Sequence, residues 1–361
     1  MGFLALEIIA ILLTIVIQLV PGILASFALL KGTDLGRFEK IFLGIILALI
    51  ILPGLGVLEY TFLRISYSAY LVLFNAILMT AVSLAALYYQ KQLQLRVPSF
   101  TMPSITITKE SAWNWVKKNW PVCVLLVLMG IGLAVRFNGA WSATFFEFDP
   151  YYYDKLTEKL VTNGFIEIYS PESYYPEQAF ERWAPLTHYL TGSWYLLYSF
   201  FAGIGVYSKE LLILISQTYP PLMGALLSFI VFLLVREEYG DKIALIPAAF
   251  FVFTPQIVKK LAAGVSEQQP WGMMTALLVF TVYVLAVHRK SFRLAVVAAL
   301  AVFASLLGSQ QYIWPFTVLF VYVVFQGILD FLSGNFEKKT FLIHAIVAGA
   351  TLVSNLLFYL Y

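Results

Sequence analysis

The sequence predicts an all-α polytopic membrane protein, and three observations carry that prediction. Hydrophobic residues make up 61% of the 361-residue chain and charged residues only 12%, about half the charged share of a soluble domain. Mean hydropathy is +0.83. The apolar residues run in uninterrupted stretches of about 18 to 25, the length that crosses a bilayer as a helix. A helix satisfies its own backbone groups where no water is present to do so.

Taken in order, spans are expected near 3–30, 41–62 and 67–89. The first is too long for a cleaved signal, has no basic N-terminal region and is followed by further spans, so it counts as structure. A polar stretch follows, "QKQLQLRVPSFTMPSITITKESAWNWVKKNW". Its Pro, Ser and Thr content marks a boundary, placed near residue 115. Trp113, Trp115 and Trp120 beside Lys117 and Lys118 have the make-up of an interfacial anchor. The chain thus divides into a three-span extension with a cytoplasmic linker, 1–115, and a membrane module, 116–361. In the module, spans are expected near 120–138, 207–235, 243–259, 270–287, 293–308, 311–331 and 340–361.

The long polar loop, 139–206, interrupts this series. Residues 149–163 place apolar positions at helical spacing and end at Gly164, a helix stop. Residues 184–204, "APLTHYLTGSWYLLYSFFAGI", are apolar enough to resemble a span. Crossing there would invert every later loop and put the basic "VHRKSFR" outside. A helix lying in or against the outer interface is therefore expected. With 31–40, 90–118, 235–242, 288–293 and 333–340 in the cytoplasm, those segments hold 15 of the 23 Lys and Arg, as the positive-inside tendency requires. The N-terminus and the 139–206 loop then lie outside, on a multi-pass protein of the cell membrane.

Several function classes drop out. A single cysteine, Cys123, gives no disulfide framework or thiol metal site. His188, His288 and His344 are scattered, the net charge is only +3, and nothing points to nucleic acid. No Gly-rich phosphate loop or serine nucleophile elbow occurs.

What remains is acidic and external. In "FFEFDPYYYDKLTEKLVTNGF", residues 145–165, Glu147, Asp149, Asp154 and Glu158 crowd beside Tyr151, Tyr152 and Tyr153. Carboxylates at a membrane boundary are costly without partners, which marks them as functional. A solvated helix with an interfacial Tyr belt is the plainer reading. The second external loop, "KKLAAGVSEQQPW", sets Lys259 and Lys260 against the positive-inside tendency. Such a cation pair suits a phosphate at the membrane surface, or simple snorkelling to headgroups. Glu267 and Asp149 offer hard oxygen donors of the kind Mg²⁺ or Mn²⁺ prefers.

An acid-rich first loop opening with Asp-Pro-Tyr-Tyr and closing in an aromatic helix resembles the catalytic subunit of oligosaccharyltransferase, its archaeal members in particular. The second loop is similar: Lys260, Ala263-Gly264, Val265-Ser266, then Glu267-Gln268-Gln269 where the family has Asp-x-Asp. "GSQQYIWPF" is a third, weaker echo of an aromatic turn between spans. The resemblance covers roughly 120–361. It implies a GT-C-like helical bundle with a helical first external loop. The implied activity moves a glycan from a polyprenyl or dolichyl (pyro)phosphate onto a protein asparagine, outside the cytoplasm, with Mn²⁺ or Mg²⁺. It implies Asp149 and Glu267 as catalytic metal-binding acids, Gln269 as a further metal donor, and Lys260 at a basic position. Lys259 and Arg182 are added as partners for the lipid phosphate. Tyr151, Tyr152, Trp183 and Glu147 are candidate contacts to sugar or acceptor. The implied partners are the lipid-linked glycan, the acceptor protein, membrane lipids and a separate soluble sequon-reading subunit.

The sequence also departs from that pattern. Gln269 is neutral where the family has a carboxylate. The chain stops in an apolar stretch, "ATLVSNLLFYLY", before the family's Trp-Trp-Asp-Tyr-Gly acceptor motif. It is therefore expected to be a fragment, half of a split enzyme or a reduced relative. Two other functions stay open: a GT-C transferase using a polyprenyl-phosphate monosaccharide, and a non-catalytic scaffold or lipid-binding subunit.

Overall fold

The computed structural model describes residues 2–91, 109–138, 143–167, 169–170, 179–180, 184–334 and 337–361. Its helices are α1 (Gly2–Leu29), α2 (Arg37–Leu63), α3 (Ala69–Tyr89), α4 (Lys109–Lys118), α5 (Trp120–Arg136), α6 (Asp149–Asn163) and α7 (Pro185–Ala202). They continue as α8 (Lys209–Ser216), α9 (Tyr219–Phe253), α10 (Pro255–Lys260), α11 (Gln268–His288), α12 (Phe292–Gly308), α13 (Ile313–Leu332) and α14 (Lys338–Leu360). Strands β1 (Tyr169–Ser170) and β2 (Ala179–Phe180) form a two-residue antiparallel pairing between α6 and α7. Seven helical segments are long and apolar enough to cross a membrane, and α5 and α12 are shorter apolar helices. One of the seven segments, Lys209–Phe253, is 45 residues long. Non-helical Gly240 (φ 77°) divides it, allowing the chain to turn back. This is a multi-pass, all-α bundle.

Packing decides which helices form the hub. The most apolar windows of α2 and α11 are both 67% buried, against 11% for the segment containing α13. The outer helices leave their apolar faces to lipid, as only a membrane protein can. Small residues set the closest crossings. A Cβ on Gly22 of α1 would sit 2.4 Å from the backbone of Ala48 and Gly44 on α2. Ser26 Oγ donates across the same contact to the Lys40 carbonyl, 2.5 Å away.

Two expectations shift in detail. The span expected at 243–259 ends at Phe253, because Thr254 turns to extended geometry and Pro255 starts a separate six-residue helix. Helix α7, apolar enough by sequence to resemble a span, falls outside the seven segments long and apolar enough to cross. Its N-terminal half, however, is walled by protein instead of lying on a surface. Residues 185–193 are all buried, against α1, α2 and α6. The polar groups there explain it: Thr187, His188, Thr191 and Ser193 need partners that lipid does not supply.

The two ends of the bundle differ in charge. One end joins α9 to α2 through Arg236 and Glu39 and α9 to α11 through a bidentate Arg289–Glu237 pair. At that same end Lys290 meets Glu337 at 2.7 Å. The other end carries α6 and the 261–267 loop.

Candidate functional site

The site begins with a buried arginine. Arg136, the last residue of α5, is 0% exposed. Its guanidinium donates to the carbonyls of Gly132 (3.1 Å) and Phe251 (2.6 Å). The second carbonyl lies in the last turn of α9, where the helix dipole favours a cation. Its own carbonyl accepts the Ala263 amide at 2.8 Å. One residue thus fixes the second loop to the start of the first.

Further bonds hold the first loop against the second loop and the α8–α9 junction. The Phe146 amide donates to the Gly264 carbonyl (3.0 Å), and Gln217 Nε2 donates to the Thr144 carbonyl (2.6 Å). Gly264 is required here. Its φ is +91°, and a Cβ would lie 3.0 Å from the Phe146 ring. Helix α6 then starts at Asp149, with Pro150 in its first turn, and stops at left-handed Gly164 (φ 81°).

This scaffold brings Glu147 and Glu267 together across 120 residues of sequence. Their carboxyl groups lie within hydrogen-bonding reach of each other. Lys260 Nζ stands 3.2 Å from Glu147 and 3.9 Å from Glu267. Glu267 is 3% exposed, and its Oε1 has no hydrogen-bond partner. Burial pushes its carboxyl up to about 7, helped by the hydrogen bond to Glu147 and opposed by Lys260. The hydrogen bond with Glu267, and then that with Lys260, hold Glu147 below the usual range. Asp149 is exposed at the head of α6. Its charge also raises Glu267, which places the two in electrostatic reach.

Other sequence-derived residues fall around this centre. Lys259 is exposed, and its charge acts on Glu147. Tyr151 and Tyr152 are 41% and 38% exposed, with Tyr151 Oη accepting the Phe145 amide. Gln269 is half-buried in the first turn of α11. Among the described residues no hydrogen bond joins it to Asp149 or Glu267. Arg182 and Trp183 lie outside the described residues. The sequence did not single out Arg136, and it named Asp154 only as one of the crowded acids; Asp154 is 4% exposed and bonded by Ser216 Oγ at 2.9 Å.

As a metal site the donor set fits in kind. Hard carboxylate oxygens converge, and the orphaned Glu267 Oε1 is an acceptor awaiting a cation or a proton. Among the described residues no three His, Cys, Asp or Glu side chains form a ready cage. Mg²⁺ commonly makes up such a deficit with water and substrate phosphate oxygens.

A pH dependence follows. Burial raises both Asp154 (to about 6) and Glu267 (to about 7), above their unfolded values of about 3.9 and 4.3. Between about pH 4 and pH 7 the folded chain binds more protons than the unfolded one, so stability falls as pH rises through that window. In metal-free buffer, the Tm of Asp154→Asn with Glu267→Gln is expected to fall less over this range than that of the unsubstituted protein. An unchanged slope would place the titration elsewhere.

Comparison with known proteins bears on the family and the fold. Residues 124–360 match the family model described as oligosaccharyl transferase STT3, N-terminal. A dolichyl-phosphooligosaccharide-protein glycotransferase 3 of Archaeoglobus fulgidus is 26% identical over 188 residues, 50% of this chain and 21% of its own. The apo oligosaccharyltransferase of the same organism superposes with a TM-score of 0.57 at 21% identity, over 68% of this chain and 30% of its own. The A. fulgidus enzyme bound to an inhibitory peptide and a dolichol-phosphate gives 0.53 at 17%, over 68% and 33%. The chain thus spans about a fifth to a third of the relatives it matches.

Proposed function

Since the chain belongs to the oligosaccharyl transferase STT3 family, we propose that it binds a dolichyl- or polyprenyl-(di)phosphate glycan and takes part in transferring it to an asparagine of an acceptor protein. The observation carrying this reading is the meeting of Asp149, Glu147, Glu267 and Lys260, drawn from two distant loops, at one end of a membrane bundle. The basic, ion-paired opposite end supports an extracytoplasmic site in the cell membrane. Residues 1–115 act as an extension to the 116–361 module, with α1 and α2 bracing α7.

In the reaction, the bond from the sugar C1 to the phosphate oxygen breaks, and one forms from C1 to the asparagine amide nitrogen, whose proton passes to a carboxylate of the site or to the departing phosphate. Lys260 and Lys259 receive the charge on the departing phosphate, with Arg182 proposed beside them. Asp149 and Glu267, and by proposal Gln269, would hold Mn²⁺ or Mg²⁺. The bound ion supplies Lewis-acid neutralisation of the phosphate oxygens. Glu147 accepts hydrogen bonds from the acceptor, while Tyr151, Tyr152 and Trp183 offer aromatic faces to the sugar. An additional sequon-reading subunit and surrounding lipid complete the proposed partners.

One observation favours a second reading, a lipid-binding relative that does not catalyse. Lys260 already neutralises the two glutamates. The test is incubation with a lipid-linked oligosaccharide, an Asn-X-Thr peptide and Mn²⁺, alone and with candidate partner subunits. Mn²⁺-dependent glycopeptide supports transfer. Intact donor and peptide in every mixture would favour the second reading.

Orientation is testable separately. In a Cys123→Ser background, a cysteine replacing Val206, 80% exposed between α7 and α8, is expected to react with an impermeant maleimide on intact cells. One replacing Tyr239, 66% exposed near the kink of α9, should react only after permeabilisation. The reverse pattern would invert the proposed face.

A further inference from the structure

A small cavity lies between α6, α7, the α8–α9 junction and the second loop, lined in part by Asp154, Ser216, Tyr219, Ser266 and Glu267. It has room for about one water-sized occupant. We propose that it binds one dehydrated monovalent cation, K⁺ or Na⁺, held by Asp154, Glu267 and hydroxyl oxygens of its walls.

The case rests on counting protons. A Ser or Thr hydroxyl has one proton to donate and two lone pairs to offer. Ser216 Oγ gives its proton to Asp154 Oδ1 (2.9 Å) and Ser266 Oγ gives its own to the Ser216 carbonyl (2.8 Å). In the same lining, Thr187 donates to the Ala184 carbonyl (3.0 Å) and Thr191 to the Thr187 carbonyl (3.1 Å). With those protons committed, these hydroxyls have only lone pairs left for an occupant. Two carboxylates join them, Asp154 at 4% and Glu267 at 3% exposure. The Glu267 Oε1 and Tyr219 Oη atoms are buried with no hydrogen-bond partner.

Around two carboxylates such a wall favours positive charge, with the Tyr219 hydroxyl and the His188 ring as its remaining donors. Among the described residues no Lys or Arg lines the cavity, and Lys209 reaches Asp154 only through space. Glu267 has Lys260 3.9 Å away, but Asp154 has no counter-charge in contact, and a buried carboxylate left so is strongly disfavoured. The size suits an ion close to a water molecule, and hydroxyl and carboxylate oxygens are its usual ligands. The cation would tie α6, which begins at Asp149, to the loop that ends at Glu267. It needs neither the lipid donor nor the transfer reaction, so its test is independent of the transferase reading.

Thermal unfolding in nanodiscs, with EDTA present, is compared in KCl, NaCl and N-methyl-D-glucamine chloride at equal ionic strength. A ligand that binds only the folded state raises Tm saturably. A saturable rise with K⁺ or Na⁺ is expected, with Asp154→Asn weakening the apparent affinity at least about tenfold, since ligand charge sets affinity at oxygen sites. Glu210→Gln, which removes an exposed acid on α8, should keep the full response. If Asp154→Asn fails to fold, Ser216→Ala is read instead, with an expected loss of about 10–100-fold. Tl⁺ anomalous scattering from crystals should then place a peak between Asp154 and Glu267. Indifference of Tm to the small cations would overturn the proposal, as would an undiminished response in both cavity variants. Stabilisation by acid alone would do the same, showing the carboxylates neutralised by protons.

Discussion

Asp149→Ala is expected to lower Mn²⁺-dependent glycopeptide formation by about 10²–10³-fold, the usual cost of losing one preorganised electrostatic group at a reacting centre. The fold should survive, because Asp149 is exposed at the head of α6. Losing its charge at a helix N-terminus costs about 0.3–1 kcal/mol. The loss should fall on kcat more than on KM, since the group acts on charge that develops as the phosphate leaves. Lys260→Met should instead raise KM for the lipid donor, because the ammonium meets phosphate in the bound state as well. Initial rates at saturating and limiting donor separate the two effects. Undiminished transfer in Asp149→Ala would remove the acid from the reaction.

Gly308→Ala is expected to be the most damaging single methyl group in the bundle. A Cβ at Gly308 would stand 2.0 Å from Trp271 Nε1 and 2.3 Å from its Cδ1. Trp271 has nowhere to go: it is 0% exposed, and its indole N–H donates to the Ala304 carbonyl at 2.8 Å. Overpacking of this kind costs about 1–3 kcal/mol, and more where neighbours are rigid. Trp271 sits in the first turn of α11, four residues beyond Glu267, so its displacement should reach the site. Thermal unfolding should show a Tm drop of several degrees. Trp271→Phe removes Nε1, the nearest clashing atom, and should partly rescue Gly308→Ala, a coupling between contacting residues. Additive losses in the double variant would mean that the clash is relieved elsewhere.

The bundle was legible because its signal is long and repetitive. Each span repeats the same apolar composition over many residues. Breaks set by single residues were harder to read, as at Thr254–Pro255, where apolar sequence continues on both sides. Helix α7 shows the limit of hydropathy. Its aromatic content reads as interface, yet Thr187, His188, Thr191 and Ser193 turn it inward. Spacing Thr187 and Thr191 four apart, on one helical face, was the available sign.

Of the site, Asp149, Glu267 and Lys260 were readable as charges out of place beside a membrane. Their approach was not, since backbone bonds such as Phe146 to Gly264 leave no mark in side-chain type. Glu147 shifted in character, from a candidate acceptor contact to a partner of Lys260 and Glu267. Arg136 stayed hidden, and the burial of Asp154 with it, because a single charge at a helix end, or within an acidic helix, looks like ordinary solvated surface. Their burial comes from packing with segments over a hundred and about sixty residues away.

The central claim is that these two loops hold a divalent ion together with a lipid-borne phosphate. Mn²⁺ binding to the protein in nanodiscs, followed by electron paramagnetic resonance with and without polyprenyl diphosphate, tests it most directly. The account predicts binding that tightens when the diphosphate is present and is lost in Asp149→Ala and in Glu267→Gln. Mn²⁺ affinity that ignores the diphosphate, or that persists in both variants, would contradict it.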